Sequence, residues 1–227
     1  PQPSAPPHAL DVTGLTKTFV GGRALSEVDL QIAAGEVCAL LGENGSGKST
    51  LIKVLSGYHS PDPGAVVRVG GHELEFTSPT SSYALGARFV HQDLGLVEES
   101  SIADNLAFGP GFPTRFGTVV ERKVRERAQE ALGAMGLDVD PRLKVGRLSP
   151  AQKTGVAVAR ALLHDAASPA RLLVLDEPTA RLPEEEVEQL LAIVRTVAAN
   201  GIGVLYVTHR LDEVFDVAER AVVLRDG

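Results

Sequence analysis

GENGSGKST, from Gly42 to Thr50, decides how this chain is read, because Gly42 through Ser49 fit the phosphate-loop pattern G-x-x-x-x-G-K-[ST]. The apolar run Val37 to Leu41 predicts a buried strand before it, and Thr50 to Leu55 predict a helix after it. Backbone N–H groups in such a turn converge on one point, and the helix N-terminus adds partial positive charge, so the stretch is suited to an anion. Gly42, Gly45 and Gly47 permit conformations and close approaches that a Cβ obstructs. Lys48 offers a point charge to β- and γ-phosphates, and Ser49 offers a hydroxyl to Mg2+. Glu43, Asn44, Ser46 and Thr50 complete the expected phosphate-binding loop.

The 227 residues suit one large α/β domain, or a domain with a subdomain. A net charge of -7 argues against a broad nucleic-acid surface, which favours a basic domain. The single cysteine, Cys38, lies inside the apolar run before the cradle; it reads as a buried small hydrophobe in a reducing compartment and cannot form a disulfide within the chain. There is no run of eighteen apolar residues, and the start PQPSAPPHAL has neither a basic region nor an apolar core, so the expectation is a chain neither exported by that route nor membrane-spanning. Residues 1–9 are proline-rich and read as a disordered tail, leaving 10–227 for the fold.

Leu10 to Phe19 and Ala24 to Ile32 alternate apolar and polar residues around Gly21 and Gly22, predicting antiparallel strands. Further strands are expected at Val66 to Val69, Leu74 to Phe76 and Ala87 to Val90, the last leading into His91, Gln92 and Asp93. Ligand contacts in α/β sheets gather at such strand ends. From Ser100 to Met135 the pattern is helical with no strand interrupting it: Ser101 or Asp104 caps a short helix, and an amphipathic one runs from about Val119 to Met135. In Leu148 to Gln152, LSPAQ, Ser149 is a good N-cap and Pro150 suits the first helical position.

Arg171 to Leu175 predict a buried strand that ends in Asp176 and Glu177. Adjacent carboxylates there are costly unless they serve a cation or polarise water, which makes Asp176 an Mg2+ ligand through water and Glu177 a candidate general base. A helix with acids at its positive end starts at Pro183 and Glu184 to Glu186, its stripe of Val187, Leu190, Leu191, Val194 and Val197 turned to the core. Gly203 to Val207 and Arg220 to Leu224 predict two more strands, the former running into His209.

Taken in order, these motifs resemble the ATP-binding cassette (ABC) ATPase domain of membrane transporters, from about Leu10 to Gly227. VHQDLGLVEESSIADNLAFG, Val90 to Gly109, looks most like the first of two tandem cassettes in bacterial importers of ribose, galactose and xylose type. The resemblance implies an α/β P-loop fold: a mixed sheet core, an antiparallel β subdomain and a helical subdomain at roughly 93–165. It implies ATP and Mg2+ as ligands, with Phe19 stacking on adenine. Gln92 would sense Mg2+ and the attacking water, Asp176 would hold the metal, and Glu177 would be the base with His209 contacting the γ-phosphate. Ser149 and Ala151 would reach the ATP of a partner cassette in a head-to-tail dimer. The implied partners are permease subunits, a second cassette and, indirectly, a periplasmic or lipoprotein sugar-binding protein, at the cytoplasmic face of the membrane; nucleic acid is not among them.

The chain departs from the family signature LSGGQ at Pro150 and Ala151. Proline removes one N–H that could face a γ-phosphate, and losing a bond to a charged group costs roughly 1.5 to 3 kcal/mol. Slow turnover of the ATP that this signature completes is therefore expected. ARLP, Ala180 to Pro183, departs from the small residue and acid that often stand there in the family. Two other readings compete: a soluble ABC ATPase acting on DNA or the ribosome, and a non-catalytic ATP-gated module.

Overall fold

The computed structural model describes residues 8–76, 78–109, 111–115, 117–163 and 168–227. The chain opens with strands β1 (Leu10–Phe19), β2 (Gly22–Ile32) and β3 (Val37–Leu41), then helix α1 (Lys48–Leu55). Strands β4 (Val66–Val69) and β5 (His72–Glu73), helix α2 (Pro79–Ala84) and strand β6 (Ala87–Val90) follow. Next come α3 (Ile102–Ala107), β7 (Thr114–Arg115), β8 (Thr118–Val119), α4 (Glu121–Ala134) and α5 (Pro150–Leu162). The chain finishes with β9 (Leu172–Asp176), α6 (Glu184–Ala199), β10 (Gly203–Val207), α7 (Leu211–Val217) and β11 (Arg220–Val223).

Two compact units emerge, one of residues 1–89, 170–177 and 197–227 and the other of 90–169 and 178–196. The first holds two sheets. One is antiparallel, in the order β2-β1-β4-β5; the other runs β11-β3-β10-β9-β6, with β11, β3, β10 and β9 parallel. Every residue of β3 and β10 is buried, as parallel strands covered on both faces require. Leu10, Val12, Leu15, Leu25 and Ile32 from the antiparallel sheet share one core with Cys38, Leu40, Leu51, Val174 and Leu205.

The second unit is mostly helical. Ser101 caps α3, its hydroxyl accepting from the Asp104 N–H. Ser149 caps α5 within a capping box: Ser149 Oγ accepts from Gln152 N–H, and Gln152 Oε1 accepts from Ser149 N–H at 3.0 Å. Along α5, a Cβ on Gly155 would lie 2.7 Å from Leu137 Cδ1 and 2.8 Å from Ile193 Cδ1, so a larger residue there would require these two side chains to shift.

Four expectations need correction. Ala9 is not part of a tail; it is buried, and its carbonyl accepts from Gly70 N–H, while residues 1–7 lie outside the described residues. The strand expected at Leu74 to Phe76 stands instead at His72–Glu73, because Gly70 and Gly71 both take positive φ and turn the chain back within two residues. The interval from Ser100 to Met135 does contain strand, the short β7–β8 hairpin, whose two-residue arms are too brief to alternate visibly. The helical unit also takes in 178–196, beyond the expected 93–165, and residue 165 itself lies outside the described residues.

Candidate functional site

In the first unit, three parallel strands deliver the predicted residues to one edge of the sheet. Val207 on β10 is in register with Leu40 on β3 and with Asp176 on β9. One or two residues further along these strands stand Gly42, Glu177 and His209. The turn is tied down by backbone bonds, Thr208 N–H to Leu40 O at 3.2 Å and Glu177 N–H to Val207 O at 2.9 Å.

The cradle passes directly into α1, whose N-cap Gly47 sits at φ +106°. A Cβ on Gly47 would meet Ala24 O at 2.6 Å, and one on Gly42 would meet Ser46 Oγ at 2.4 Å and Leu224 O at 2.5 Å. Both glycines are thus demanded by packing. Lys48 is buried, and its ammonium donates to Gly42 O at 2.6 Å and Glu43 O at 2.9 Å, drawing the loop around itself. Ser46 Oγ is buried without a hydrogen-bond partner. An unsatisfied hydroxyl inside a loop of backbone donors beside a lysine is costly as it stands and fits an incoming phosphate. Glu43, Asn44, Gly45 and Ser49 are exposed.

Asp176 ends β9, and Glu177 follows with φ +48°, a left-handed conformation that is strained for a side chain of this kind. Glu177 Oε1 lies 3.4 Å from His209 Nδ1. Behind the histidine, Glu213 of α7 is 1% exposed and accepts from Tyr206 Oη at 2.8 Å and Thr208 Oγ1 at 3.4 Å. It also forms an ion pair with Arg210 Nε at 3.0 Å. Glu213 therefore holds both residues flanking His209. Sequence gave no sign of this, since the acid reads as an ordinary first-turn residue of a short helix.

Phe19, the last residue of β1, is 40% exposed. Its ring meets His59 edge-on, with centroids 5.3 Å apart, and Lys17 Nζ lies 5.1 Å from its centroid. Gln92, Ser149 and Ala151 belong to the second unit. Gln92 is exposed in the bend that follows β6. Glu186 Oε2 accepts from Ser149 Oγ at 2.8 Å and from Ala151 N–H at 2.7 Å.

Cradle, acidic strand end and histidine at one sheet edge define a P-loop nucleotide-binding domain. Residues 25–180 match the ABC transporter family, and the chain belongs to it. It is 45% identical over 94% of its length to the ribose import ATP-binding protein RbsA 2 of Rubrobacter xylanophilus, covering 40% of that protein. It is 43% identical over 99% of its length to the arabinose import ATP-binding protein AraG of Azospirillum brasilense, covering 42%. The chain thus spans less than half the length of these relatives. Among solved structures it is similar to an ABC transporter's ATP-binding cassette in its ADP conformation (TM-score 0.83, 28% identity, 97% of this chain and 88% of the other). It is also similar to a dimeric cassette in a post-hydrolysis state bound to ADP and Pi (TM-score 0.73, 27% identity, 96% and 95%). Among the described residues no helix is long and apolar enough to cross a membrane.

Proposed function

We propose that this chain is an ATP-hydrolysing cassette that powers sugar import. The observation that carries this is the register of β3, β10 and β9, which brings the Lys48 loop, His209 and the Asp176–Glu177 pair to one edge. ATP places its phosphates in the Gly42 to Thr50 loop, with Lys48 turning from its own carbonyls to the β- and γ-phosphates and Phe19 stacking on the base. Within the first unit, Ser49 and, through water, Asp176 would hold Mg2+, which would neutralise phosphate charge.

Glu177 accepts a proton from a water molecule, whose oxygen attacks the γ-phosphorus in line. The bond from that phosphorus to the bridging oxygen breaks, and ADP leaves with inorganic phosphate. His209, 3.4 Å from Glu177, is placed to hold the γ-phosphate and orient that exchange. Ser149 and Ala151 complete the ATP of a second cassette in a head-to-tail pair, and the bound and separated forms drive permease subunits at the cytoplasmic membrane face. A sugar-binding protein delivers the cargo on the other side.

The test is ATP hydrolysis by the full-length protein assembled with its membrane subunits. Hydrolysis that rises with sugar-loaded binding protein and vanishes in Glu177→Gln supports the reading. ATP binding without hydrolysis in that assembly would make the chain a gated module, and salt-dependent binding of DNA or RNA by the full-length protein would favour the soluble alternative.

A further inference from the structure

Pro150 has no N–H, so the opening of α5 has two donors to offer a partner's phosphate: the Ser149 hydroxyl and the Ala151 N–H. Both are taken. Glu186 Oε2 accepts from the hydroxyl at 2.8 Å and from the N–H at 2.7 Å, placing one carboxylate oxygen where the helix N-terminus favours an anion. The Gln152 N–H also approaches Ser149 Oγ, but as a donor, so it does not compete for the hydroxyl proton.

We propose that Glu186 is an internal occupant of the signature, displaced by the γ-phosphate when two cassettes close, and that its charge sets the ATP concentration at which closure occurs. This rests on the signature reading given above. Each donor carries one proton, so a carboxylate and a phosphate oxygen cannot both be fully served. Two anions at contact distance also repel. Glu186 must therefore leave. Its place allows it: the side chain is half-buried in the first turn of α6, and its own N–H is held separately by Pro183 O at 3.0 Å. Rotation of the side chain frees the donors without unwinding the helix.

Glu186→Gln keeps shape and an acceptor oxygen while removing the charge; Glu186→Ala removes both. Each is made in the full-length protein carrying Glu177→Gln, so that closed pairs accumulate, and closure is followed by fluorescence transfer between labelled cassettes as ATP is raised, with the permease present. The expected result is a three- to tenfold fall in half-saturating ATP for both variants. Ser149→Ala serves as the control and is expected to raise that concentration. A lowered melting temperature with unchanged half-saturating ATP makes Glu186 a helix cap only and overturns the proposal. If Ser149→Ala also leaves half-saturation unchanged, the signature reading itself falls; if Ser149→Ala shifts it and the Glu186 variants do not, only the displacement is refuted.

Discussion

Glu177 Oε1 lies 3.4 Å from Nδ1 of His209, each side chain held at the end of one of two adjacent parallel strands. Glu177 is the carboxylate that can take a proton from water, and its left-handed backbone, φ +48°, fixes the direction in which it projects. Glu177→Gln keeps size and polarity but cannot act as a base. The expected outcome is a loss of hydrolysis on the order of 10² to 10⁴-fold, the usual contribution of general base catalysis, with ATP binding retained. Steady-state phosphate release and a nucleotide titration on the full-length protein check it; undiminished release would remove Glu177 from the role.

Lys48 tests the cradle. Its ammonium is held by Gly42 O and Glu43 O, so the loop is shaped around a cation that a phosphate can claim. Lys48→Ala removes charge-assisted bonds worth roughly 1.5 to 3 kcal/mol, and nucleotide affinity should fall about ten- to a hundredfold. Calorimetric titration with a non-hydrolysable ATP analogue reads this directly, and wild-type affinity would contradict the assignment.

The cradle, β3, β9 and β10 were legible because a buried parallel strand is a continuous apolar run, and the polar residues that interrupt it mark the strand ends where ligands sit. Glu186 was legible only as an acid at a helix's positive end; its bonds to Ser149 and Ala151 join residues 37 and 35 positions apart, a relation no local pattern contains. The same holds for Glu213, whose partners lie on a strand and in the turn beyond it, and for His59, which meets Phe19 only once the chain has folded back. Local periodicity predicts elements, whereas these contacts arise from their assembly.

Glu213 is the buried carboxylate on which the His209 segment rests. Removing it leaves Arg210 without its buried partner and Tyr206 without its 2.8 Å acceptor. Arg210 keeps Asp212 at 3.2 Å, so the main cost is the buried Tyr206 hydroxyl that loses this acceptor, and Glu213→Ala should lower the unfolding free energy read by urea titration by about 1 to 3 kcal/mol. Glu213→Gln retains an acceptor for Tyr206 and should lose less. Equal, negligible losses in both variants would show that the network does not support the fold.

Cys38 sits at zero exposure in β3, and burial pushes its thiol from 9.0 up to about 11, with Arg220 pulling partly the other way. Iodoacetamide at pH 8 should therefore leave the native protein unlabelled and modify it fully in denaturant, since the thiolate is the reactive form. Linkage fixes the sign of the alkaline response. Because the folded thiol keeps its proton to higher pH than the unfolded one, the folded state binds more protons between about 9 and 11, and stability falls as pH rises through that window. Cys38→Ala has no such proton, so its unfolding free energy should fall less steeply than the wild type's over the same range. Parallel urea titrations at pH 8 and pH 10.5 measure the difference; identical slopes for the two proteins would mean that burial does not hold the thiol protonated.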